Sequence, residues 1–170
     1  MTGRPDPTEA APHYFLYIDK VPGEDVSAVM EAQLEEALNL FGGISEEASR
    51  HRYAPDKWSI RQLLNHITDT ERAFAFRALW FARGFDAALP GYDQDVAAAG
   101  AEADRISWAA HVDEFRRVRL STIPLFRNMP PEAWMRRGVA SGNPFTVRAL
   151  AFIAAGHVTH HLGILRERYL

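Results

Sequence analysis

The stretch from Trp58 to Arg83 (WSIRQLLNHITDTERAFAFRALWFAR) constrains this chain most. It holds no proline or glycine, and Ile60, Leu63, Leu64, Ile67, Phe74, Ala78 and Phe81 recur at three- and four-residue steps. That period marks one face of an α-helix, and an unbroken run of this length favours a helix over a strand. Three further stretches repeat the pattern. Val26, Met30, Leu34, Ala37, Leu38 and Phe41 mark a first helix from Asp25 or Val26 to about Leu40, stopped by Gly42-Gly43. Trp108, Val112, Phe115, Val118, Leu120, Ile123 and Phe126 mark another from about Ser107 to Asn128, with Pro124 set to kink or shorten its last turn. The last starts near Thr146, a suitable N-cap, and runs to Tyr169.

The connections are long. Residues 84–103 (GFDAALPGYDQDVAAAGAEA) have room for a short helical turn, and so does Glu132 to Met135 in the irregular segment between Met129 and Pro144. His13 to Val21 is short and ends at Pro22-Gly23, so it is expected to lie extended against the body, with no strand to pair with. Met1 to Pro12 is read as a flexible N-terminal tail. With no internal repeat and no strand ladder, the fold class is all-α: a four-helix bundle with long connections in one domain over residues 13–170. The spatial order of the helices stays open.

The chain has 170 residues, the size of one domain, and a formal net charge of -3 with 19 Lys and Arg interspersed among 22 Asp and Glu. That distribution argues against nucleic acid as a partner. No run reaches the roughly 18 apolar residues needed to cross a bilayer, and the N-terminus lacks the apolar centre of a secretory signal. A cytoplasmic protein is expected. There is no cysteine, which excludes disulfides, thiolate zinc sites and a cysteine nucleophile. Any metal must then be held by His, Asp or Glu, ligands suited to Zn, Ni, Fe or Mn.

Of seven histidines, three lie in His157-Val158-Thr159-His160-His161. Residues four apart on a helix differ by about 40° around the axis and about 6 Å along it. His157 and His161 therefore share a face, and they continue the stripe of Leu150, Ala154 and Leu165. Buried imidazoles need partners for their nitrogens, and a divalent cation provides one for each ring. His66, in the middle of the second helix, is the candidate third ligand. His160 is three residues from His157 and remains an alternative to His161. No HExxH motif is present, so the zinc-protease reading built on that motif fails.

Three segments together resemble the DinB/YfiT-like family of metalloenzymes: Tyr14 to Pro22 (YFLYIDKVP), Trp58 to Ile67 (WSIRQLLNHI) and Thr146 to Leu165 (TVRALAFIAAGHVTHHLGIL). The resemblance covers nearly the whole chain from His13. It implies a four-helix bundle with crossover connections and a metal, zinc or nickel, held by His66, His157 and His161. It also implies a homodimer. Relatives include thiol transferases that use bacillithiol, isomerases that use mycothiol, and sulfur-transfer enzymes with a related domain.

Three neutral ligands leave a divalent metal its full charge and an open position, as in catalytic sites. The leading expectation is a transferase that activates a low-molecular-weight thiol against an electrophilic substrate. A metal-dependent hydrolase and a non-catalytic metal-binding or interaction domain are the alternatives. Asp69, one turn after His66, is a candidate to orient a ring nitrogen or accept a proton, although pairing with Arg72 accounts for it equally well. Tyr92, Asp93 and Asp95 are candidates for the entrance and Arg148 for an anionic substrate. Trp58 reads as core at the start of the second helix, and Trp80, Phe81, Trp108 and Phe115 read as core or dimer surface.

Overall fold

A computed structural model describes residues 3–170, and among these the α-helices are α1 (Phe15–Ile18), α2 (Val26–Gly42), α3 (Ile60–Ala82), α4 (Gln94–Ala101), α5 (Trp108–Arg127) and α6 (Val147–Arg168). Each of the four long helices starts where a side chain accepts hydrogen bonds from otherwise free N–H groups. Asp25 caps α2, Ser107 caps α5 and Thr146 caps α6. Ser59 caps α3 in a reciprocal box with Gln62. α5 runs through Pro124 to Arg127. The ring there takes the donor from the Leu120 carbonyl, and Leu120 is exposed enough for water to replace it.

α3 packs beside α5 and α6, and α2 also packs beside α5 and α6. The order around the bundle is therefore α2, α5, α3, α6, with the chain neighbours α2 and α3 on one diagonal and α5 and α6 on the other. Residues 43–59 make the first diagonal crossing and the long connection between Met129 and Pro144 makes the second, whereas residues 84–103 join the neighbours α3 and α5. α6 is the most enclosed helix, buried without interruption from Ala149 to Val158, because α1 covers the side that α2 and α3 leave. Phe41, Phe115, Phe126, Phe145 and Phe152 are sealed in the interior, each contributing about 1.5–3 kcal/mol of burial. The core divides into two apolar clusters, one including Phe74 and Ala155 and the other Ile67 and Val158. His157 falls between them along α6.

Three expectations are corrected. His13 to Val21 is not extended: a turn at Pro12–Tyr14 leads into α1. Ile18 and Val21 bury against α6 with Tyr14 and Tyr17 half-buried beside them, a helical period that prevails over the β-preference of these residue types. A strand pair does exist, β1 (Arg137–Ala140) and β2 (Asn143–Thr146), antiparallel with Arg137 opposite Thr146 and Ala140 opposite Asn143. Its loop, Ser141-Gly142, has positive φ at both residues, 52° and 73°, as tight two-residue hairpins require. The hairpin lies over α3 so closely that a Cβ on Gly138 would stand 2.0 Å from the Phe81 ring.

The N-terminal segment is not a free tail over its described part; Met1 and Thr2 lie outside the described residues. Arg4 donates to the carbonyls of Val21 (2.6 Å) and Ile18 (3.1 Å), satisfying groups at the end of α1. Glu9 is buried, accepting from Thr146 Oγ1 at 2.7 Å and Arg148 Nε at 3.0 Å. Among the described residues no helix is long and apolar enough to cross a membrane.

Candidate metal centre

His66 projects from α3, and His157 and His161 from consecutive turns of α6; all three side chains are buried. The packing of α3 on α6 closes the set. Nε2 of His157 stands 3.1 Å from Nε2 of His66 and 3.0 Å from Nε2 of His161. One candidate ligand atom from each of the three rings lies within 4.8 Å of the others. His160 is left out: it is half-buried, with its ring 5.4 Å from that of Tyr17.

An imidazole Nε2 carries either one N–H or one in-plane lone pair. His157 Nε2 faces two neighbours at hydrogen-bonding distance, so at most one of those contacts is a hydrogen bond. His161 Nδ1 is also buried with no hydrogen-bond partner among the described residues. The protein alone thus leaves ring nitrogens unmet in its interior, which is unfavourable.

Protonation does not resolve the shortage. Burial lowers His66 to about 4. Burial, reinforced by the neighbouring His66 and His160, lowers His161 to about 3. His157 is driven well below its ordinary value by burial, then by His161 and His66. Three neutral rings face one another near pH 7, the state in which imidazole offers a lone pair to a metal. With metal–nitrogen bonds of about 2.0–2.1 Å, neighbouring ligand atoms stand roughly 2.8–3.4 Å apart for octahedral to tetrahedral angles. The observed separations lie within that range, so the residues fit a divalent cation.

The surroundings orient the rings. Thr70 Oγ1 is 3.4 Å from His66 Nδ1, one turn along α3. The Trp58 ring lies 4.9 Å from His66, and the Tyr17 ring 5.3 Å edge-on to His157. Trp58, read as core, is therefore a wall of the site.

The other candidates are placed as follows. Asp69 does not reach the rings; it accepts from Arg72 at 2.9 Å, and Arg72 also meets Glu114 at 2.7 Å. Arg148 is held by buried Glu9 rather than offered to a ligand. Asp93 caps α4. Tyr92 lines a cavity of about 220 Å³ that opens onto His66 and His157, while Asp95 lines a second, about 320 Å³, on the side of His161. Trp108 and Phe115 are core around Phe41, Phe81 is buried under the hairpin, and Trp80 stacks on Phe85 at 4.2 Å.

Two groups escaped the sequence reading. Arg119, buried, donates to Glu71 Oε2 through Nε (3.0 Å) and Nη2 (2.7 Å) and to Gln33 Oε1 through Nη1 (2.7 Å). Gln33 passes the network on to the Ala155 carbonyl and Thr159, on the turns of α6 flanking His157. Arg77, also buried, lines the cavity beside His66. A charged residue on a helix reads as solvated unless its contacts are known, and Glu71, 48 positions from Arg119, and Ser141, 64 positions from Arg77, lie far away in the chain.

The model of the DinB superfamily matches residues 30–165. Among solved structures, YfiT from Bacillus subtilis, described as a probable metal-dependent hydrolase with an unusual four-helix bundle topology, superposes with a TM-score of 0.70. The match covers 96% of this chain and 89% of that one at 14% sequence identity, a likeness of fold. No curated protein matches the sequence. With a family match that spans both helices carrying the three histidines, this chain belongs to the DinB superfamily.

Proposed function

We propose that this protein is a divalent-metal-dependent enzyme in which His66, His157 and His161 hold the metal and a small nucleophile is activated beside the 220 Å³ cavity. The observation that carries this reading is the convergence of three buried, neutral ring nitrogens that cannot satisfy one another. A divalent cation there supplies Lewis acidity, lowering the pKa of a coordinated water or thiol. The chain itself does the rest. Neutral ligands would leave the cation's charge undiminished, three of them would leave a position open, and the Trp58 and Phe74 rings stand beside the histidines as apolar walls.

Water is the first nucleophile we assign, which makes the reaction a hydrolysis, and the description of YfiT supports it. A second reading, transfer of a low-molecular-weight thiol, has its own observation. No carboxylate lines the cavity at His66 and His157, so on that side of the centre no carboxylate general base is placed to deprotonate water. A thiol, with a pKa near 8–9, needs less help. Zinc and nickel are the metals proposed for either reaction.

The test starts with elemental analysis of protein purified without a histidine tag; about one zinc or nickel per chain is expected, and no bound metal overturns the proposal. Loaded protein is then given an activated ester, or a thiol (glutathione, bacillithiol or mycothiol) with a chloro-aromatic acceptor. Ester cleavage that disappears in His66→Ala supports hydrolysis. Conjugate formation without ester cleavage selects thiol transfer.

A further inference from the structure

Arg77 sits in α3 three turns after His66, and it is only 6% exposed. Nη2 donates to Ser141 Oγ at 2.9 Å and to the Pro90 carbonyl at 3.3 Å, both neutral acceptors. Among the described residues, its other guanidinium nitrogens have no hydrogen bond and no carboxylate lies within ion-pairing distance. The contrast with the other interior arginines is sharp: Arg119 has Glu71 and Arg61 has Glu46. A buried cation without a counter-ion is costly.

Arg77 faces the cavity that opens onto His66 and His157, whose lining contains no acidic side chain. The phenol of Tyr14 lines it too, and burial raises its pKa against a lowering influence from Arg77, so it remains an O–H donor. The hairpin loop that brings Ser141 is held in place by Leu89, whose backbone bonds to Val139 and Ser141 at 2.9 and 3.2 Å. The guanidinium is thus steadied from the side of β1, with its remaining N–H groups free for a ligand.

We propose that Arg77, assisted by Tyr14, binds a compact oxyanion on the substrate, a carboxylate or a phosphate, and so presents the rest of that molecule to the three-histidine centre. This rests on the metal reading of that centre. The cavity volume of about 220 Å³ restricts the anionic end to a small group. A guanidinium meets such an anion through paired N–H donors.

The test is calorimetric titration of the zinc-loaded and the EDTA-treated full chain with succinate, inorganic phosphate and neutral succinamide. Wild type is expected to bind succinate or phosphate, whichever fits better, about ten- to a hundredfold more tightly than succinamide. Arg77→Met should abolish that preference, Arg77→Lys should restore part of it, and Tyr14→Phe should weaken it without removing it. The preference should persist in EDTA-treated protein, which separates this proposal from the metal reading. Equal affinity of wild type for the charged and neutral probes overturns it, whatever the metal content. So does a preference unchanged in Arg77→Met. Phosphate bound more tightly than succinate supports it and identifies the ligand as a phosphoryl compound.

Discussion

His66 and His157, 91 positions apart in the chain, bring their Nε2 atoms to 3.1 Å from each other across the α3–α6 contact. Because His157 also faces His161 at 3.0 Å, removing His157 takes away the central member of the set. His157→Ala is expected to lower metal affinity by at least about a hundredfold, more than the loss of a supporting contact around a ligand. His160→Ala, whose ring packs on Tyr17 instead, should retain stoichiometric metal. Elemental analysis after dialysis against a weak chelator distinguishes the two variants.

The bundle was legible wherever an apolar period and a helix-starting residue coincide. α3 and α6 begin within two residues of the positions read from Trp58-Ser59 and Thr146, and they carry all three histidines. The order of helices was not legible, because the connections are long enough for either side-by-side or diagonal neighbours. The β-hairpin escaped because four-residue strands, one containing Pro144, are too short to show alternation. Arg77 escaped for another reason. Its surroundings come from Ser141 and Pro90, which meet it only after the hairpin folds over α3.

The buried pair of Glu71 and Arg119 gives a stability prediction. Arg119 is fully enclosed and Glu71 nearly so, with Glu71 Oε1 lacking a hydrogen-bond partner among the described residues. Arg119→Met strands the carboxylate in the interior and should cost about 3–5 kcal/mol. The double variant Arg119→Met with Glu71→Met should recover much of that loss, since no charge is then left unpaired. Urea unfolding of the metal-free protein measures both; a double variant as unstable as the single would contradict this account.

Acid should undock the N-terminal segment. Burial alone would raise the Glu9 carboxyl, but hydrogen bonds from Arg148, Thr146 and the Asp6 backbone outweigh it and hold its pKa below 4.5. A carboxylate with a lowered folded-state pKa contributes stability above its unfolded value, and that contribution is lost as pH falls through the folded one. The wild type should therefore lose stability below about pH 4.5 more steeply than Glu9→Gln. At pH 7 the variant should be less stable by about 1–3 kcal/mol. Thermal unfolding of the two proteins between pH 3 and pH 7, on the order of a few points per unit, tests the slope.

Gly156 links the packing of α1 to the histidines. It precedes His157, and a Cβ there would stand 2.0 Å from the Tyr17 carbonyl oxygen. That obstacle is backbone, so Gly156→Ala forces α1 and α6 apart; overpacking of this kind costs about 1–3 kcal/mol. The gain in helix propensity from alanine, at most about 1 kcal/mol, does not offset it. The displaced segment carries Tyr17, whose ring packs edge-on to His157 at 5.3 Å. Gly156→Ala is expected to lower both the unfolding midpoint and metal affinity, whereas Gly163→Ala, with open space around its Cβ position, should leave metal affinity unchanged and stabilise the helix slightly. Loss of stability with metal affinity intact would show that the α1 contact supports the fold without steering His157.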